Sequence, residues 1–157
     1  MPYALEPLLD IRVMREDRAS AALTAARQAA AAAADAVDAR KAELEKFEAS
    51  KDERRDRIYD TILGRPVNRD QIDLALEGVA RIDQEGAIRL DNVRQAENEL
   101  KKKEEAVETA RAGFFEATKN RMKIGEHKAV WQEIEAKEAE AQSDMELEDF
   151  TARKLEI

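Results

Sequence analysis

Between Pro7 and Gly64 the chain contains neither proline nor glycine, and Ser20 and Ser50 are its only serines there. Nothing in that span stops a helix, since proline and glycine are the residues that most often do. Within it lies "AARQAAAAAADAVDARKAEL", with alanine at every position from Ala29 to Ala34. A secretory core would sit near the N-terminus behind a basic flank, whereas this run follows Glu16 and Asp17 and is broken by Asp35 and Asp38. It is too short and too weakly apolar to span a bilayer. A flexible linker would need Gly, Ser or Pro. Helix is what remains, because alanine has the highest helix propensity and loses no rotamer entropy.

Composition agrees. Ala, Glu, Lys, Leu and Arg number 29, 22, 11, 12 and 16, or 90 of 157 residues, above the share that marks long helices and coiled coils. The apolar fraction of 43% overstates the core, because so much of it is alanine. Two long helices sharing a thin seam suit this chain better than a globule, as one elongated domain over 1–157. The absence of cysteine removes disulfides and thiolate metal sites. With no signal or membrane-spanning segment in the sequence, a cytoplasmic protein without membrane insertion is the simplest expectation. The net charge of −8 falls mostly on the last 25 residues, which hold 3 basic and 9 acidic groups. No region is globally basic, so nucleic acid is not the expected partner.

Punctuation places the fold point. In "LGRPVNRDQ", Gly64 suits a helix C-terminus and Pro66 cannot continue one. Asn68 and Gln71 have the spacing of an N-cap and its capping-box partner. The expected elements are a helix over 7–63, a tight turn at 64–68 and a longer helix over 69–155. At 1.5 Å per residue they would be roughly 80 Å and about 130 Å long. So short a connection makes them antiparallel neighbours. The fold class is therefore all-α, an antiparallel coiled-coil hairpin.

The seam shows as a step of seven. From Leu9 it meets Glu16, Leu23, Ala30, Val37, Leu44, Lys51 and Ile58. In the second helix Val79, Gly86, Val93, Leu100, Val107 and Phe114 form one row. Ile82, Arg89, Ala96, Lys103, Ala110, Ala117, Ile124 and Trp131 form another. Such a step marks a left-handed coiled coil. Folding about residue 66 sets Ala30 opposite about 102, Leu23 near 109 and residue 7 near 125, leaving 130–157 as an overhang. Small side chains on both partners would let the axes approach closely. Gly78 and Gly86 suggest a bend or break in the second helix.

Catalytic chemistry is hard to find. His127, the only histidine, has no second histidine to make a zinc motif and reads as a solvated residue in the basic "KNRMKIGEHK" patch. The five glycines are scattered and form no phosphate loop. The carboxylates of Glu146, Glu148 and Asp149 would diverge on a helix and cannot converge on a cation. "KDERRDRIYD" reads as a solvated helix face with i,i+4 ion pairs. Trp131 shares heptad register with Ile124, so it is a seam residue or, with little of the first helix left to cover it, an interface anchor. No enzyme, cofactor or metal site is expected.

Four features occur in order: "YALEPLLDIRVMREDRASAAL", "RIYDTILGRPV", Trp131 well beyond that turn, and "MELEDF" near the end. Together they resemble the YscO family of type III secretion, the injectisome counterpart of flagellar FliJ, over essentially the whole chain. The resemblance implies a central stalk similar to that of rotary ATPases. Such a stalk engages the hexameric secretion ATPase, links it to the cytoplasmic ring of the export gate at the inner membrane, and also binds export chaperones. It implies partner-binding roles for Arg12, Arg15, Glu16 and Arg18, and for Glu146, Leu147, Glu148 and Asp149, at the ATPase end. The turn end, with Tyr59, Leu63, Gly64, Arg65, Pro66 and Val67, would face the gate. Two readings from other classes stand beside it: a holdase that shields client helices along its sparse seam, and a scaffold that completes its seam by self-association. A monomeric hairpin is expected, with a dimer as the alternative.

Overall fold

Two α-helices packed antiparallel account for nearly all of the chain in a computed structural model, which describes residues 1–155. Helix α1 spans Glu6–Asp60 and helix α2 spans Arg69–Leu155, 55 and 87 residues long. The fold class is the expected one, with the second helix longer.

The ends follow from backbone bookkeeping. Pro7 sits in the first turn of α1, where a missing N–H costs nothing. The regular α1 pattern stops at Asp60, three residues before the expected 63, because the final turn tightens. Thr61 N–H donates to the Ile58 carbonyl and Ile62 N–H to that of Tyr59, both i→i+3 bonds. The Thr61 hydroxyl donates to the Ile58 carbonyl as well, at 2.6 Å, satisfying acceptors a helix end leaves open. Gly64 then adopts a left-handed φ of 69°, which a side chain would resist. Asn68 and Gln71 close the capping box in both directions. Gln71 N–H donates to Asn68 Oδ1 at 2.9 Å, and Asn68 N–H donates to Gln71 Oε1 at 3.0 Å.

The chain divides into two compact units. One comprises Met1–Leu23 with Ala110–Ile157, the other Thr24–Thr109. In the second unit the core is Val37 and Phe47 from α1 against Ala75, Ile82 and Val93 from α2. Every α1 residue of the row from Leu9 to Ile58 is buried or half-buried, as is every α2 residue of the two rows except Lys103. Phe47 lies against Gly86, one residue from the partner that folding about 66 assigns it.

Gly86 and Gly78 explain why α2 runs on where a break was expected. A Cβ built on Gly86 would stand 2.7 Å from the Phe47 ring, and one on Gly78 would stand 3.1 Å from Ile58 Cδ1. Both glycines are sockets that let a large α1 side chain approach the α2 backbone. The propensity each loses, about 1 kcal/mol, is offset by contact made across the pair.

Around Phe47 the polar groups also reach across. Arg54 and Arg89 guanidinium groups stand 5.8 and 5.6 Å from its ring centroid, and both donate to Glu85, at 2.7 and 3.2 Å. Arg55 donates to Asp83. The "KDERRDRIYD" segment is thus only partly the solvated face its charges suggested. Arg57–Glu53 is an i,i+4 pair, while Arg54 and Arg55 tie α1 to α2.

Candidate functional site

In the unit holding both termini, residues 1–5 precede α1 and lie along α2. Tyr3 is buried, its ring 5.3 Å from that of Trp131 and 5.8 Å from that of His127. Tyr3 Oη and His127 Nδ1 share a hydrogen bond of 2.7 Å. The terminal ammonium pairs with Glu135, and Lys128 donates to Glu6 at 2.8 Å. His127 is exposed, as its basic neighbours suggested, but its ring is held by Tyr3. The overlap also reaches Glu135, so the overhang starts at 136 and not at 130. A non-helical segment covers more length per residue than the 1.5 Å rise of a helix, and these few residues reach that far.

This clasp decides the surroundings of Trp131, which is half-buried under Tyr3. Tyr3 opens the "YALEPLLDIRV" segment, but its packing role is not legible there because it lies outside the helical periodicity, between Pro2 and Pro7. A buried aromatic beside a lone tryptophan leaves no trace in a heptad count.

The N-terminal group divides by face. Arg12 and Glu16 are half-buried on the seam side, and Glu16 accepts from Arg121 of α2. Buried Arg12 Nε has no hydrogen-bond partner among the described residues. Arg15 and Arg18 are exposed. Around them Ile11, Val13 and Met14 are 45, 38 and 53% exposed, so charge and apolar surface alternate there.

The acidic group lies elsewhere on α2. From Ala136 to Lys154 every residue is exposed, including Glu146, Leu147, Glu148 and Asp149. Met145, Leu147 and Phe150 are at least 60% exposed, an unusual density of large apolar side chains on a helix without cover. Arg12–Arg18 and Glu146–Asp149 are thus on one unit but not in one cluster.

In the other unit, Tyr59 is half-buried while Gly64, Arg65 and Pro66 are exposed at the connection. Ile58, Thr61, Ile62, Gln71, Leu74, Ala75 and Gly78 line a shallow groove beside it. Leu63 and Leu74 are 66 and 67% exposed next to that groove, and Val67 is half-buried.

No group of three or more His, Cys, Asp or Glu among the described residues is placed to hold a metal ion. Nor is any described helix long and apolar enough to cross a membrane.

Comparison with known proteins identifies the family. The family model described as type III secretion protein YscO matches residues 5–153. The chain belongs to the YscO family. Among solved structures, the YscO homolog CT670 from Chlamydia trachomatis is similar, with a TM-score of 0.72 and 21% sequence identity. The match covers 99% of this chain and 94% of CT670, so the two share the paired-helix fold throughout. No curated protein matches the chain. As a YscO-family chain it is a component of type III secretion. That membership ties the four ordered segments, from "YALEPLLDIRV" to "MELEDF", to one kind of protein.

Proposed function

We propose that this YscO-family chain is the central stalk of a type III secretion system, engaging the hexameric secretion ATPase and linking it to the cytoplasmic ring of the export gate. The observation that carries the reading is family membership over 5–153 in a chain built of two antiparallel helices and little else. Each unit is a pair of α-helices, about 20 Å across with side chains, a thickness that a ring lumen admits.

The chemistry suits such a role. Exposed residues around Arg15 and Arg18, and the acidic apolar stretch Glu146–Asp149 with Phe150, offer many separate weak contacts. Repeated subunits of a ring can exchange contacts of that kind one for another. Charge complementarity gives such a docking its register and encounter rate more than its depth. A stalk needs no catalytic group of its own. It changes the ATPase by binding some of its conformations better than others, as any ligand must. The turn end, with Tyr59, Gly64, Arg65 and Pro66, faces the gate, and the position of an ATPase-bound stalk at the inner membrane follows. Binding of export chaperones is compatible with the same exposed surfaces.

The test mixes the full chain with its cognate ATPase and follows hexamer formation and ATP hydrolysis. Both should rise with the wild-type chain. Replacing Glu146, Glu148 and Asp149 together with lysine should lower that stimulation at least several-fold, while the helix content stays unchanged. No complex and no change in turnover with the wild-type chain would overturn the reading, and suppression of client aggregation without the ATPase would favour a holdase.

A further inference from the structure

A third step of seven runs along α2 outside the seam that α2 shares with α1. Phe115, Met122, Ala129, Ala136, Ser143 and Phe150 fall on it, and all six are exposed. Its two ends are phenylalanines 68 and 64% exposed, and its middle is small. Near the first end, Phe115, Thr118, Lys119, Met122, Lys123 and Glu126 line one shallow apolar groove. Near the other end the same side of the helix brings Glu140, Asp144 and Leu147. The stripe therefore begins apolar, with two lysines and one glutamate, and finishes acidic and apolar. Turned end for end, it brings the two lysines of one copy to the acidic end of the other.

The geometry points to a second copy of this chain as the occupant of that stripe. Two α2 helices would lie antiparallel about a two-fold axis near Glu133. Phe115 of each copy then meets Phe150 of the other, and Lys119 and Lys123 meet Glu140 and Asp144. Ala129 and Ala136 fall between, where small side chains let the axes come close. Near the axis Glu133 faces its own copy and Glu126 faces Glu140; Lys137, which already donates to Glu133 at 2.8 Å, offsets part of that like charge. Both phenylalanines gain cover, and the helix end beyond Glu135 gains the neighbour that α1 does not provide. The contact is isologous, so it closes at two copies and does not propagate. All of it lies within the unit that holds the termini, and none of it depends on the stalk reading. In the dimer, Phe150 and the acidic stretch beside it are covered, so self-association and any other use of that stretch compete.

Charge exchange tests this on the full chain. Sedimentation velocity across a hundredfold range of concentration should show a monomer–dimer equilibrium that weakens with added salt, as exposed ion pairs do. Lys119→Glu with Lys123→Glu should weaken dimerisation by about tenfold or more, as should Glu140→Lys with Asp144→Lys. An equimolar mixture of the two double variants should dimerise again, because both contacts then pair opposite charges. All four positions are exposed, and circular dichroism checks that each variant keeps its helix content. The chain has no cysteine, so Ala129→Cys mixed with Ala136→Cys should form a disulfide far faster than either variant alone. A monomer at every concentration, dimers unaffected by both reversals, or a mixture that stays monomeric would each overturn the proposal.

Discussion

Gly86 and Gly113 lie on the same helix and differ in what faces them. Alanine at Gly86 would press its Cβ against the Phe47 ring, whereas nothing lies within 4 Å of a Cβ at Gly113. Overpacking costs about 1–3 kcal/mol, against roughly 1 kcal/mol of regained helix propensity. Gly86→Ala should therefore lower stability by up to about 2 kcal/mol, and Gly113→Ala should raise it by about 1 kcal/mol. Urea unfolding of the two variants compares them directly, and equal shifts would show that Gly86 is not a socket. At Glu85, hydrogen bonds from Arg54 and then Arg89 hold the carboxyl below its usual pKa. Its charged form is thus favoured in the folded state, and that contribution to stability is present above the ordinary carboxylate range. It is lost as pH falls through the lowered value. Wild type should lose more stability on acidification through that window than Glu85→Gln, which has no carboxylate there to protonate. Parallel curves would mean that the cluster is held by the Phe47 contacts alone.

At the scale of elements, what sequence could supply was periodicity and punctuation. The heptad rows, the antiparallel pairing and the reciprocal Asn68–Gln71 cap were all legible, because each is a local rule of spacing. Less legible was anything set by one element on another. Gly86 looked like a weak point in α2 because its partner Phe47 is remote in sequence, and Tyr3 lay outside every repeat. The long helices also behave differently along their lengths. Asn68→Ala removes one side of the cap and should cost about 1 kcal/mol, read as a lower melting midpoint. Removing α2 beyond Ala136 should change the stability of the monomer hardly at all, since every residue from Ala136 to Lys154 is exposed. Tyr3→Ala should expose Trp131, the only tryptophan, and red-shift its fluorescence in the folded chain. An unshifted spectrum would place Tyr3 elsewhere.

For the whole molecule, the two kinds of information met only in part. Family membership over 5–153 agrees with the ordered segments that sequence had singled out. Which side chains of those segments lie open to a partner was less legible. Arg12 and Glu16 face the seam, while Arg15 and Arg18 face outward, and the 3.6-residue turn of a helix separates neighbours in that way. Spacing within a motif therefore did not tell exposed residues from packing residues. The central claim is that this chain occupies the axis of a ring, which fixes a ratio. A stalk on a sixfold axis is a single chain facing all subunits, whereas a peripheral ligand occupies each subunit separately. Native mass measurement of the complex with the cognate secretion ATPase tests this most directly. One chain per hexamer is the result expected; one chain per ATPase subunit, or no complex, would contradict it.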